Sequence, residues 1–390
     1  MIQVPNGWEI KPFSSLASIN MGQSPESEFV NENQEGIAFL QGNADFGDIN
    51  PKELYWVKVP KKLAKKDDIL ISVRAPVGDI NMADKEYCIG RGLSALTIKK
   101  INQKFGFYAL FQERIQLDRL AQGSTFLAIG KNDFDKLLIK YPKEKKEQEK
   151  IAKILSTLDN AIESTTRIIE KEKNIKTALM QELLTNGIDK NGQIRTPQTH
   201  TYKQSELGFI PDEWEVDSIE NHAKIITGDK DTQDRLDDGE YPFYVRSQTI
   251  ERINTYSFDG EAVLTAGDGV GVGKVFHFVN EKFDFHQRVY CIHDFSEKLN
   301  SSFFFEYFRT YFIEQVNKYS AKGSVDSVRY DMIALMNIPL PTFEEQKQIA
   351  KILTTQDKKI EIEETNLDKL KELKKGLMND LLSGVVRVKV

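Results

Sequence analysis

The chain has 390 residues, 40% hydrophobic and 29% charged, a balance that gives a globular protein room for two or three domains. No apolar run reaches the roughly 20 residues of a membrane helix, and Met1-Ile-Gln-Val-Pro-Asn lacks the basic and apolar regions of a secretory leader, so a cytoplasmic location is expected. A net charge of −6 is not the basic balance of a stand-alone nucleic-acid binder, and two cysteines in no motif, Cys88 and Cys291, argue against a disulfide scaffold.

The first predicted element follows Pro5 and Trp8. A variable, strand-rich stretch extends over residues 26–99, with a strand at 68–74 (Asp-Ile-Leu-Ile-Ser-Val-Arg). An amphipathic helix is expected at 105–120, then a turn, Ala121-Gln122-Gly123-Ser124, and a strand ending at Pro142. Two lysine clusters, Lys61, Lys62, Lys65 and Lys66, then Lys140, Lys143, Lys145, Lys146 and Lys150, read first as solvated faces. Residues 148–184 hold no Gly and no Pro, and carry Ile151, Ile154, Leu155, Leu158, Ala161, Ile162, Ile168, Ile169, Ile175, Leu179 and Leu183. That is a helical stripe with heptad character, preceded by Pro142 and stopped by Asn186-Gly187. A polar, turn-rich connection follows.

The same order then returns. Pro5, Trp8 and Gly22 recur as Pro211, Trp214 and Gly228, each 206 residues on. A strand is expected at 274–279 and a helix at 302–319, before a second turn, Ala321-Lys322-Gly323-Ser324, and Pro341. Gln148-Glu-Lys-Ile-Ala-Lys-Ile-Leu recurs as Gln346-Lys-Gln-Ile-Ala-Lys-Ile-Leu, 198 residues on, and Leu179-Met180 as Leu377-Met378. A second long helix is therefore expected at 344–382, stopped by Ser383-Gly384. At ~1.5 Å per residue each long helix spans roughly 55 Å, too long to bury its stripe on one small domain. The nearest matching stripe is the other copy's, and a twofold relation would make the pair antiparallel. The stripe is imperfect in the second copy, where Gln356 replaces Leu158 and Glu363 replaces Thr165, and polar residues at a seam can fix register.

These features resemble the specificity subunit of type I restriction-modification systems. The likeness rests on a Pro-x-x-Trp opening, a variable region and a Glu-Gln-x-x-Ile-Ala-x-x-Leu helix start, each present twice. The start reads Glu147-Gln148 to Leu155, then Glu345-Gln346 to Leu353. The implied fold is α+β, with two β-rich target-recognition domains with inserted helices, separated by two long helices in an antiparallel coiled coil, in a pseudo-twofold repeat. The expected division is 1–147 and 206–343 for the recognition domains, 148–185 and 344–384 for the helices, 186–205 for a linker and 385–390 for a tail. The resemblance implies that each domain reads half of a split site in double-stranded DNA, while the helices set the spacing. It further implies that two methyltransferase subunits dock and bring S-adenosylmethionine. Restriction subunits would add ATP- and Mg-dependent cleavage. This chain would hold no cofactor or metal of its own and catalyse nothing.

The residues support no intact catalytic motif. A phosphate loop needs Gly where Asp268 stands and Ser or Thr where Val275 stands, and G-x-G-x-x-G fails after Gly269 and Gly271, leaving a tight strand-to-strand turn. His277, His286, Cys291 and His293 match no zinc spacing. No Pro-Pro occurs, so no Asp- or Asn-Pro-Pro-Tyr segment exists.

Sequence is read by Arg to guanine and by Asn or Gln to adenine, while phosphate contacts position the protein. The candidates in the first copy are Gln41, Asn43, Arg74, Arg91, Gln122, Ser124 and Thr125. Those in the second are Arg246, Gln248, Lys274, Gln287, Arg288, Lys322, Ser324 and Arg329. The competing reading is a non-catalytic coiled-coil scaffold that links two ligand-binding β domains. Arg and Gln beside corresponding turns favour DNA.

Overall fold

The computed structural model describes residues 4–114, 116, 117, 119, 128–319 and 327–389. Contacts divide the chain into two units, residues 1–166 with 365–390, and residues 167–364. The divisions fall inside the two long helices, Lys145–Thr185 and Phe343–Ser383, of 41 residues each. Each unit therefore holds the start of one long helix and the end of the other.

In the first unit, Ala17–Met21 pairs with Leu93–Ile98, which pairs with Ile69–Ser72, which pairs with Ile80–Met82, all antiparallel. Ile37–Leu40 runs parallel to Tyr87–Ile89. In the second unit, Lys224–Thr227 pairs with Val289–His293, then come Phe258–Ala266 and Phe276–Phe285 in the same antiparallel order. Tyr241–Tyr244 runs parallel to the end of Phe276–Phe285. The middles that share little sequence thus share one strand order. Ile69–Ser72 is buried along its whole length because it lies centrally in its sheet. The strand expected at 274–279 starts later and runs further, since Lys274 belongs to the turn before it.

Each sheet packs on a helix. Gln103–Gln112 buries Phe105 and Leu110 beside Trp8, Phe13, Phe134, Ile151, Leu155, Met378 and Leu381. Ser301–Lys318 buries Phe303, Phe304, Phe308 and Phe312 beside Leu183, Leu184, Ile349 and Leu353. A fully buried side chain of this size contributes about 1.5–3 kcal/mol, so the aromatic row is the main anchor of the second unit. Of the helix expected at 105–120, the continuous described part ends at Gln112.

The repeated Glu-Gln pair explains the repeated helix start. Gln148 accepts from the Asn102 amide at 2.6 Å and donates to the Pro142 carbonyl at 2.7 Å, while the Asn102 side chain caps its helix through the Phe105 amide. Gln346 accepts from the Asn300 amide at 2.8 Å and donates to the Pro341 carbonyl at 2.9 Å, and Asn300 caps through the Phe303 amide. Both glutamines are buried, so each amide satisfies backbone groups that would otherwise stand unpaired.

The preceding glutamates close the units. Glu345 binds the Arg195 guanidinium at 2.5 and 3.0 Å, and Glu147 binds Arg387 at 2.6 and 2.8 Å. Arg195 lies in the stretch that follows the first long helix, inside the second unit, and Arg387 in the tail. The helices end as their glycines require, with Gly187 at φ +62° and Gly384 at φ +75°.

Within each unit the two helix segments run antiparallel. In the first, Asp159 takes Lys374 at 2.5 Å and Glu147 takes Arg387. In the second, Asp357 takes Lys176, and Glu345 accepts from the Ile188 amide at 3.0 Å. Gln356 is buried and donates to the Glu172 carbonyl at 3.1 Å, as a register-fixing polar group would. The apolar stripe is not wholly a seam: Ile168 and Ile175 on the first helix, and Ile362 and Leu373 on the second, are exposed.

Candidate functional site

In the first unit three backbone segments meet at one edge of the sheet. Gly90 donates to the Leu40 carbonyl at 2.8 Å, Val73 donates to that of Gly92 at 2.8 Å, and Ile129 donates to that of Val73 at 2.9 Å. Gln41, Arg74 and Arg91 all lie at this junction and are exposed. Asn43 is half-buried and donates to Asp79 at 2.9 Å, and Asp79 also takes Arg114 at 2.5 Å. Gln122, Ser124 and Thr125 lie outside the described residues.

The second unit repeats the junction bond for bond. His286 donates to the Tyr244 carbonyl at 2.9 Å, Gly267 to that of Arg288 at 2.7 Å, and Val328 to that of Gly267 at 2.7 Å. These bonds make Tyr244, Gly267 and Arg288 the counterparts of Leu40, Val73 and Gly92. Asp268 then corresponds to Arg74, and Arg246 to Gly42.

The side chains at the second junction form a charged cluster. Asp268 binds Arg246 at 2.7 Å and reaches Arg288 at 3.7 Å. A cavity of about 410 Å³ lies between Val245, Arg246, Asp268 and Val270. Val270 stands 92% exposed on a 3-10 turn, Gly269–Gly271, which joins two strands. Gly271 is required there, because a Cβ would lie 2.7 Å from the Arg246 carbonyl. Buried His286 accepts from the Arg288 amide through Nδ1 at 2.9 Å, and burial, aided by the Arg246 charge, holds its pKa below the usual imidazole value.

Other candidates from the sequence are placed less freely. Gln248 donates to the Lys274 carbonyl at 2.7 Å, and Gln287 donates to Asp231 at 3.0 Å. Lys274 is exposed, and Arg329 is exposed just before the short helix Tyr330–Ala334. Lys322 and Ser324 lie outside the described residues. The sequence reading missed Asp268, Val270, Asp79 and Arg114. Asp268 had one available signal, an acidic residue in a glycine-rich turn, but its correspondence with Arg74 needs the strand order.

The histidines serve locally. His277 packs against Tyr244 and bonds the Ser247 carbonyl, and His293 lies edge-on to Phe258. Among the described residues no three His, Cys, Asp or Glu side chains stand together as a metal site. Among them too, no helix is long and apolar enough to cross a membrane.

The family model of the type I restriction modification DNA specificity domain matches twice, at residues 5–173 and 211–372. The chain belongs to this family. Each match takes in one strand junction and the start of one long helix. A putative type I restriction enzyme MjaX specificity subunit from Methanocaldococcus jannaschii is 39% identical over 190 residues, covering 48% of this chain and 44% of that relative. The MjaVIII specificity subunit of the same organism is 26% identical over 421 aligned residues, covering 100% of this chain and 95% of the other. In fold, the specificity chain is similar to the crystal structure of a type I restriction-modification S subunit from M. genitalium, with a TM-score of 0.70 over 97% of both chains at 18% identity.

Proposed function

We propose that each unit of this specificity chain reads one half of a bipartite site in double-stranded DNA. On this reading the long helices fix the gap between half-sites and dock two methyltransferase subunits. The chain supplies recognition and no chemistry. S-adenosylmethionine belongs to the methyltransferases, and ATP with Mg belongs to restriction subunits where these join.

One observation carries the reading. A single hydrogen-bonded junction occurs in both units and presents different side chains at corresponding positions, Gly42, Arg74 and Gly92 against Arg246, Asp268 and Arg288. A constant frame with variable polar groups suits two readers of two sequences. Exposed Ile168, Ile175, Ile362 and Leu373 support a docking role for the helices, since apolar groups gain by being covered. The acidic net charge suits a chain that holds DNA only together with partners.

Methylome sequencing of a host expressing the chain with its methyltransferase tests this. The expected result is one split adenine-methylated motif that disappears when the chain is deleted. Arg74→Ala should relax one half of the motif and Arg246→Ala the other, each by a discrimination of about 1–3 kcal/mol. An unsplit motif, or both substitutions acting on the same half, would contradict the proposal.

A further inference from the structure

Building on the DNA-reading proposal, we infer that Asp268 is a positioning residue that holds Arg246 and Arg288 as a two-pronged guanine reader for neighbouring base pairs. A carboxylate on a surface that meets phosphates opposes binding, so its presence at the junction calls for a compensating role. Its geometry supplies one. One oxygen takes Arg246 Nη1 at 2.7 Å and the other faces Arg288 Nε at 3.7 Å. Two guanidinium groups this close repel one another, and the carboxylate between them relieves that repulsion, orienting Arg246 by a hydrogen bond and holding Arg288 nearby by charge.

The support beneath the pair is rigid. Arg288 is fixed at its amide by buried His286 and at its carbonyl by Gly267. The Arg246 carbonyl is closed off by Gly271, where no side chain fits. The outer parts of both arginines remain accessible, with side chains 44% and 65% exposed. An arginine presents a planar fork matched to guanine O6 and N7, and fixing that fork beforehand lowers the entropy lost on binding. Neighbouring bases rise ~3.4 Å, a separation that two guanidiniums sharing one carboxylate can serve. The corresponding positions of the first unit carry no such device: glycines stand at both arginine positions and Arg74 replaces the aspartate.

The test uses the full-length chain in complex with its methyltransferase subunits at about 50 mM salt, where phosphate attraction is stronger than at physiological salt. The wild type first selects duplexes from a randomised pool. Asp268→Ala and Asp268→Glu are then measured on the selected duplex, on a scrambled duplex, and on the selected duplex with 7-deazaguanine at each guanine. The expected result is two adjacent guanine-bearing pairs in one half-site, each losing about tenfold or more with 7-deazaguanine. Asp268→Ala should lose about tenfold in specific binding yet bind scrambled DNA as well as or better than wild type, with an unchanged melting temperature. Asp268→Glu should restore much of the discrimination. Selection that yields no duplex defeats the DNA-reading proposal itself. A normal selection without the paired guanines overturns the inference alone. So does an Asp268→Ala chain that keeps full discrimination, or one that loses specific and scrambled binding equally.

Discussion

The two units share a junction and differ in how it is furnished. In the first, Gly42, Arg74 and Gly92 stand at the corresponding positions with exposed Arg91 beside them, while the second holds a cluster of two arginines around an aspartate. The closing ion pairs differ in the same way. Arg195 is 6% exposed at its side chain and Arg387 is 44% exposed, though both bind the glutamate of an identical Glu-Gln pair. Backbone hydrogen bonds hold the frame, and this frees exposed side chains to vary between the copies without disturbing it.

The sharpest way to break this comparison is to remove the two glutamates. Glu345→Ala leaves the buried Arg195 guanidinium with the exposed Glu213 at 3.2 Å in place of a buried carboxylate, and should destabilise the second unit by about 3 kcal/mol, the low end for a broken buried pair. Glu147→Ala leaves the part-exposed Arg387 with the Asn6 carbonyl at 2.6 Å and with water, and should cost the first unit about 1 kcal/mol or less. Denaturant unfolding with peptide-resolved hydrogen exchange separates the two, and equal losses would mean that the difference in burial has no energetic weight.

A smaller difference is expected at the helix bridges. Lys374→Ala leaves buried Asp159 with the Tyr108 hydroxyl at 2.5 Å and no cation beside it among the described residues, and should destabilise the first unit by about 1–3 kcal/mol. Lys176→Ala leaves half-exposed Asp357 with Arg309 at 3.0 Å, and should change stability by about 0.5 kcal/mol or less. Thermal melts of the two variants, compared with wild type, check the order.

Acid should sharpen the comparison further, with the smallest effect. All five histidines lie between residues 200 and 293, within the second unit. Burial lowers the pKa of His277 and of His286 from the ordinary 6.5. The neutral ring is therefore favoured in the folded state, so this contribution is complete above pH 6.5 and is lost as pH falls below it. Between pH 7.5 and 5.5, hydrogen-exchange protection corrected for intrinsic rates should weaken in the second unit before the first. His277→Gln should narrow the difference. Equal weakening in both units would exclude the histidines as its source.

Much of the fold was legible in the residues. The 198-residue repeat of Gln148 as Gln346 located both long helices, because a helix start needs polar groups for its backbone and an apolar stripe immediately after. The candidate site was half legible. Arg74, Arg246 and Arg288 were already candidates because arginines in the variable regions, beside expected turns, are the residue type that pairs with guanine. The glycine-rich turn was read correctly, but the parts that Asp268 and Val270 play on it were missed, because a lone acidic residue carries no signal until its neighbours in space are known.

The sequence alone determined the repeat and the two long helices, because periodicity and capping act within a few residues along the chain. Tertiary structure decided that two dissimilar middles share one strand order and that Asp268 corresponds to Arg74. It also decided that Arg195 and Arg387 close the units through Glu345 and Glu147. Those relations join residues far apart in the chain through backbone hydrogen bonds and buried charge, neither of which leaves a local pattern to read.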